Sequence, residues 1–171
     1  MNRREPVTAY VGLGANLGNP AETVRKALIE LSRLPDTSVR RASSLYRSAP
    51  VGYVAQPDYV NAVAELQTGL GARELLDHLL SLEARAGRAR TFADAPRTLD
   101  LDLLTYGEDR LDEPGLSVPH PRMHRRRFVL EPLVELDPDF VIPAQGRARD
   151  ALAAVLDQPV TRMAAAERSS T

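Results

Sequence analysis

Apolar and polar residues alternate along several stretches of this chain, and a period of two is typical of a strand with one buried face. The alternation is clear at Val60, Ala62, Ala64 and Leu66, which are separated by single residues. Similar but shorter runs are bounded by Gly, Pro and Asp residues, as strands commonly are. The predicted strands lie at residues 7–11, 39–48, 58–70 and 97–104.

Two other stretches have the apolar spacing of an amphipathic helix. The first covers residues 21–34, with Asn19 as a candidate N-cap and Pro20 in the first turn. The second covers residues 72–87 and ends on Gly87, where a helix-terminating glycine is expected. A shorter helix is predicted near the C-terminus, at residues 150–156.

The order strand, helix, strand, strand, helix, strand is typical of the ferredoxin-like α+β fold. In that arrangement an antiparallel sheet has helices packed on one face, and loops lie over the other. The 171 residues fit one domain over 1–171, with frayed ends at 1–6 and 164–171.

Two segments rich in glycine and proline connect these elements. Residues 12–20 contain Gly12, Gly14 and Gly18, but Gly18 follows Gly14 by four positions and so does not match the dinucleotide-binding fingerprint. A turn is the favoured interpretation. Residues 49–57 carry apolar and aromatic side chains, which indicates either a loop that covers a flat ligand or a connection packed on its own sheet.

Composition excludes several kinds of site. The chain has no cysteine, so disulfides, zinc–thiolate centres and a thiol nucleophile are excluded. A net charge of −1 gives no general attraction to nucleic acid or to anionic membranes, and no apolar run approaches the length of a membrane span. We therefore expect a cytoplasmic protein with no membrane contact.

Asp100 and Asp102 are the strongest candidates for chemistry. They alternate with leucines in the last predicted strand, so both carboxylates lie on one face, roughly 7 Å apart. Without a cation nearby the two carboxylates would only repel one another. Mg²⁺ is usually held by one or two carboxylates together with phosphates and water, which fits this pair. An ordinary solvated strand face is the alternative.

Basic residues surround this strand in the sequence. The run 120–128 contains two histidines and four arginines, a pattern found on solvated faces and in nucleic-acid patches. Phosphoryl or pyrophosphoryl transfer also needs such groups, because charge spreads over the phosphate oxygens. The candidates for holding a triphosphate are Arg88, Arg97, His120 and Arg126.

Five motifs, taken together and in this order, resemble the 6-hydroxymethyl-7,8-dihydropterin pyrophosphokinase family over about residues 7–145. They are GANL (14–17), SLYRS (44–48), QPDYVNA (56–62), PRTLDLD (96–102) and PHPRM (119–123). The resemblance implies an enzyme of folate biosynthesis that transfers the β,γ-pyrophosphate of ATP to the pterin hydroxymethyl group and releases AMP. It also implies two Mg²⁺ ions, with ATP as co-substrate.

The resemblance assigns roles residue by residue. Asp100 and Asp102 would hold both metal ions, and Arg88 and Arg97 would close onto the phosphates as catalytic groups. The pterin-binding set implied in this way is Ser48, the backbone at Val51, Tyr59, Asn61 and Phe128, with Tyr59 and Phe128 stacking on the two faces of the pterin. The ATP-binding set implied in this way is Glu83, Arg88, Arg97, Ser117, His120 and Arg126.

Two other functions are compatible with parts of the pattern. A ferredoxin-like RNA-binding module would use the basic run, but 5% aromatic residues and the absence of an aromatic-rich strand argue against it. A nucleotidyltransferase or glycosyltransferase with a DxD motif would also use two carboxylates and a metal. The expected partners are therefore ATP and 6-hydroxymethyl-7,8-dihydropterin, without nucleic acid, and the expected state is a monomer.

Overall fold

An antiparallel β-sheet forms the centre of the fold in a computed structural model, which describes residues 5–50, 55–87 and 98–164. The strands are β1 (Val7–Ala15), β2 (Thr37–Ala42), β3 (Tyr46–Ser48), β4 (Tyr59–Thr68), β5 (Asp100–Tyr106), β6 (Leu111–Glu113), β7 (Leu116–Val118), β8 (Val141–Ile142), β9 (Gly146–Arg147) and β10 (Val160–Arg162). The helices are α1 (Pro20–Ser32), α2 (Ala72–Arg85), α3 (Arg127–Leu136) and α4 (Ala148–Ala153), with a short 3₁₀ helix at Met123–Arg125.

Within the described residues, the main sheet has six strands, in the order β10-β3-β4-β1-β5, and β2 pairs with β4 beside β3. Every pairing is antiparallel. Strands β6 and β7 form a separate hairpin, and so do β8 and β9. The predicted antiparallel sheet is therefore confirmed.

Helices α1 and α2 pack on one face of the main sheet. Val24 and Leu31 of α1 and Leu75 and Leu79 of α2 are fully buried against it. Asn19 caps α1 as predicted, since its Oδ1 accepts a hydrogen bond from the backbone N–H of Glu22 at 3.2 Å. Both amphipathic helices predicted from the apolar spacing are confirmed.

The opposite face of the sheet is covered in part by α3 and α4. Leu130 and Leu133 of α3 are fully buried in a second apolar cluster, together with Val63 of the sheet. The prediction of helices on one face and loops over the other is therefore corrected: helices pack on both faces. Pro132 lies inside α3, and a proline removes one helical N–H. Because of this proline and the preceding basic run, the sequence did not predict α3.

Two of the predicted strands differ most from the structure. Strand β1 continues to Ala15, so Gly12 and Gly14 lie within it and pair with β4 and β5 instead of forming a turn. Gly18 alone of these three has a positive φ, of 62°, as a turn glycine does. The strand predicted at 39–48 is divided into β2 and β3. In the gap between them, the Ser43 hydroxyl accepts a hydrogen bond from the backbone N–H of Val63 at 2.9 Å.

Of the described helices, none combines the length and the apolar character that a bilayer span requires.

Candidate active site

Asp100 and Asp102 project from β5 on the face of the sheet that α1 and α2 leave open. Asp102 pairs with Gly12 of β1 and Asp100 pairs with Gly14, so each aspartate has a glycine as its cross-strand neighbour on that face. Both aspartates are partly buried. Because the glycines have no side chains, the space beside the two carboxylates remains open.

The backbone between the two aspartates is held from the side of α2. Glu83 is 3% exposed, and its Oε2 accepts a hydrogen bond from the backbone N–H of Leu101 at 2.7 Å. Glu83 therefore supports the strand segment that carries both carboxylates.

A cavity of about 770 Å³ lies over these residues on the open face of the sheet. Eight of the residues predicted from the sequence line it together: Ser48, Tyr59, Asn61, Asp100, Asp102, His120, Arg126 and Phe128. The fold thus brings residues from β3, β4, β5 and α3 to one place.

Ser48 and Asn61 form a buried polar pair on neighbouring strands of this cavity. The Asn61 Nδ2 donates a hydrogen bond to the Ser48 hydroxyl at 2.7 Å. The Asn61 Oδ1 lies only 3.2 Å from the place where a Cβ at Gly14 would stand. A side chain at position 14 would therefore push the Asn61 amide out of place, which is a reason for glycine there.

Arg126 and Phe128 lie at the start of α3. The Arg126 guanidinium carbon is 5.5 Å from the centre of the Phe128 ring, within reach of a cation–π interaction. Burial lowers the pKa of the Arg126 guanidinium, while the nearby carboxylates Asp102 and Asp100 oppose that shift. A permanent cation thus lies close to both aspartates.

His120 is neutral in this environment. Burial, followed by the nearby charge of Arg126, lowers the pKa of His120 to about 4. Its Nδ1 accepts a hydrogen bond from the backbone N–H of Arg122 at 3.1 Å, so the ring proton resides on Nε2. The backbone N–H of His120 donates to the Leu104 carbonyl at 2.7 Å, which fixes this segment to β5. His120 therefore offers the cavity a hydrogen-bond donor without a positive charge.

A smaller cavity of about 320 Å³ adjoins the first. Asp100, Asp102 and His120 line both cavities. The walls of the smaller cavity are largely leucine: Leu76, Leu80, Leu101, Leu103 and Leu116. Two polar residues predicted from the sequence, Glu83 and Ser117, also line it. Two cavities of different character therefore meet at the pair of aspartates.

Comparison with known proteins identifies the family. A sequence model of the family described as 7,8-dihydro-6-hydroxymethylpterin-pyrophosphokinase (HPPK) matches residues 10–138. The chain belongs to this family. The 2-amino-4-hydroxy-6-hydroxymethyldihydropteridine pyrophosphokinase of Pseudomonas aeruginosa is 45% identical over 154 residues, which cover 90% of this chain and 95% of that protein. The enzyme of the same name from Haemophilus influenzae is 45% identical over 137 residues, which cover 80% and 86%.

Solved structures agree on the fold. The crystal structure of wild-type HPPK-DHPS from Plasmodium falciparum superimposes with a TM-score of 0.70 at 11% identity, over 92% of this chain and 46% of that one. This chain thus spans less than half of that longer protein. An RNA-binding module and a DxD nucleotidyltransferase or glycosyltransferase are not favoured, because the chain is a member of the pyrophosphokinase family.

Some residues that line the larger cavity were not predicted, and some predicted residues lie outside the described part. Gly12, Gly14, Arg122, Arg125 and Gln158 also line the larger cavity. The basic run 120–128 was the sequence signal for the two arginines, whereas no sequence pattern pointed to Gln158. Val51, Arg88 and Arg97 fall outside the residues that the structure describes.

Proposed function

We propose that this pyrophosphokinase brings ATP and 6-hydroxymethyl-7,8-dihydropterin together at Asp100 and Asp102, with one substrate in each of the two adjoining cavities. Pyrophosphate passes from ATP to the pterin hydroxymethyl group, which gives AMP and the pterin diphosphate. The observation that carries this proposal is that the two cavities share Asp100, Asp102 and His120. Two substrates that react with each other must meet at such a boundary.

The donor set of the site fits Mg²⁺. Within residues 5–50, 55–87 and 98–164, no group of three or more His, Asp or Glu side chains could hold a metal by itself. A pair of carboxylates suits Mg²⁺, which completes its coordination with water and substrate phosphates. Mg²⁺ bound there would supply positive charge to neutralise the phosphate oxygens. Asp100 and Asp102 are the proposed ligands for two such ions.

The larger cavity suits the pterin. Tyr59 and Phe128 provide aromatic surfaces for a flat heterocycle, and Asn61 and Ser48 provide polar groups for its edge. The hydrogen bond from Asn61 to Ser48 fixes the amide orientation before a ligand arrives. The backbone at Val51 is the remaining proposed contact.

The smaller cavity suits the nucleotide. Its leucines can cover a flat base, while Glu83 and Ser117 can bond polar atoms. Arg126 and His120, near the aspartates, are the proposed contacts for the phosphates, as a cation and as a neutral donor. Arg88 and Arg97 are the proposed loop arginines that close onto the phosphates.

The chain's own residues act by positioning and by electrostatics. Arg126 and His120 hold the phosphates in line with the hydroxymethyl oxygen, and Asp100 and Asp102 would hold the Mg²⁺ that screens the phosphate charge. The hydroxymethyl oxygen bonds to the β-phosphorus as the bond between that phosphorus and the oxygen it shares with the α-phosphate breaks. AMP leaves with that oxygen, and the hydroxyl proton passes to water. No protein nucleophile is needed. Charge that develops on the phosphate oxygens is met by groups already in place, which is the largest contribution to such transfers.

We also propose a ferredoxin-like fold, a monomeric state and a cytoplasmic location. Strands β5-β1-β4-β2 follow the order of a ferredoxin-like sheet, with α1 and α2 on one face. We extend the proposal to a single domain that acts as a cytoplasmic monomer. Light scattering during size-exclusion chromatography tests the monomer directly.

Binding of Mn²⁺, a spectroscopic substitute for Mg²⁺, tests the proposed metal ligands. Mn²⁺ is titrated in the presence of α,β-methylene-ATP, whose α–β linkage resists cleavage, and free Mn²⁺ is measured by electron paramagnetic resonance. We expect Asp102→Asn and Asp100→Asn to weaken Mn²⁺ binding at least tenfold. Asp109→Asn, at an exposed position beyond the other end of β5, is the matched control. Equal binding by all the variants would contradict the proposed ligands.

A further inference from the structure

Gln158 lines the larger cavity from a segment that the family sequence model does not match. The matched part of the chain ends at residue 138, whereas Gln158 lies in the turn between α4 and β10. Gln158 is partly buried, and its side-chain amide makes two hydrogen bonds to the protein backbone. Its place in the site therefore has to be explained by what it holds.

The oxygen and the nitrogen of the Gln158 side-chain amide make hydrogen bonds to the residues on either side of Arg126. Gln158 Oε1 accepts a hydrogen bond from the backbone N–H of Arg127 at 2.9 Å. Gln158 Nε2 donates a hydrogen bond to the backbone carbonyl of Arg125 at 2.8 Å. One side chain thus fixes both peptide groups that flank Arg126.

The first of these bonds supplies a cap that α3 lacks locally. Arg127 is the first residue of α3, and the N-cap residue Arg126 makes no side-chain capping bond. The first N–H groups of a helix have no partner within the helix, and a nearby side-chain oxygen normally accepts from one of them. Here the oxygen comes from Gln158, 31 residues further along the chain.

We propose that Gln158 is a positioning residue for the reaction, which acts through Arg126 and Phe128. By holding the peptides before and after Arg126, it sets the direction of the guanidinium relative to Asp100 and Asp102. It also fixes the start of α3, and hence the Phe128 ring that lies 5.5 Å from the Arg126 guanidinium carbon. The inference rests on the proposed function, because it assumes that Arg126 contacts the ATP phosphates.

The Gln158→Met variant removes both hydrogen bonds of the side-chain amide and keeps nearly the same side-chain volume. The C-terminal segment should stay docked, because the Arg127 guanidinium also donates to the backbone carbonyls of Leu156, at 2.8 Å, and Gln158, at 2.9 Å. We expect the KM for ATP to rise at least fivefold, with a smaller rise in the KM for the pterin and less than a twofold change in kcat. The matched control is Gln145→Met, at an exposed position outside the cavity lining.

A double-mutant cycle with Arg126→Ala separates positioning from a general structural effect. If Gln158 acts through Arg126, the rise in the KM for ATP caused by Gln158→Met falls below twofold when Arg126 is already alanine. A Gln158→Met effect that stays the same in both backgrounds would overturn the inference. Kinetic constants of Gln158→Met equal to those of Gln145→Met would overturn it as well.

Asp102→Ala, assayed in parallel, distinguishes failure of this inference from failure of the proposed function. Full activity of Asp102→Ala would show that the proposed site is wrong. Loss of activity in Asp102→Ala, together with wild-type kinetics in Gln158→Met, would leave the site standing and overturn only the role of Gln158.

Discussion

The Glu83 carboxylate accepts a hydrogen bond from the backbone N–H of Leu101, the residue between Asp100 and Asp102, at 2.7 Å. Among the strands that the structure describes, β5 lies at the edge of the main sheet and pairs with β1 alone. Backbone N–H groups on an open edge need partners from elsewhere. Glu83, from α2, provides one and so fixes the backbone that carries both aspartates.

Glu83→Ala should therefore reduce both stability and activity. Loss of the partner of a buried N–H lowers the free energy of unfolding by roughly 1 to 3 kcal/mol. Urea denaturation measures this change, and the rate of AMP formation should fall in the same variant because the aspartates lose their support. Asp77→Ala, at an exposed position of α2, is the control. Unchanged stability and rate in Glu83→Ala would refute the supporting role.

Phe128→Leu should weaken pterin binding more than it weakens the fold. An aromatic stacking contact contributes about 0.5 to 1.5 kcal/mol beyond area burial, so the KM for the pterin should rise roughly two- to tenfold. Phe140→Leu is the comparison, because Phe140 packs edge-on against Tyr10, with ring centres 4.8 Å apart, and does not line the cavity. Phe140→Leu should lower stability without this rise in KM. The opposite pattern would place the pterin elsewhere.

Deprotonation of Tyr10 should lower the free energy of unfolding at high pH. Burial, with the hydrogen bond that its hydroxyl donates to Glu65 at 3.0 Å, raises the pKa of Tyr10 from 10.0 to about 12. A raised pKa means that the stabilisation is complete below pH 10 and is lost as the pH rises through 12. The loss is roughly 3 kcal/mol, and Tyr10→Phe should reduce the slope of unfolding free energy against pH between 10 and 12. Identical slopes in the two proteins would contradict this assignment.

The helices, the central strands and the aspartates were predictable because each has a local signal. Apolar spacing in α1 and α2, and alternation in β4 and β5, arise from one buried face per element. The alternation of Asp100 and Asp102 with leucines likewise put both carboxylates on one face. For these elements the local pattern and the tertiary structure agree.

Other parts of the site depend on contacts between distant segments. Gly12 and Gly14 have the local signal of a turn, but pairing on both sides with β4 and β5 keeps them in a strand. The sequence around Gln158 gives no signal, because its role depends on contact with Arg127, which lies 31 residues earlier in the chain. Such residues are found only when the fold is known.

The most direct test of the proposed site is product analysis with ATP, Mg²⁺ and 6-hydroxymethyl-7,8-dihydropterin, for the unmodified chain and for Asp102→Ala. Mass spectrometry should detect AMP and the pterin diphosphate with the unmodified chain. Asp102→Ala should remain folded by circular dichroism and form no AMP. Full AMP formation by Asp102→Ala, or ADP as the product of the unmodified chain, would contradict pyrophosphoryl transfer at this pair of aspartates.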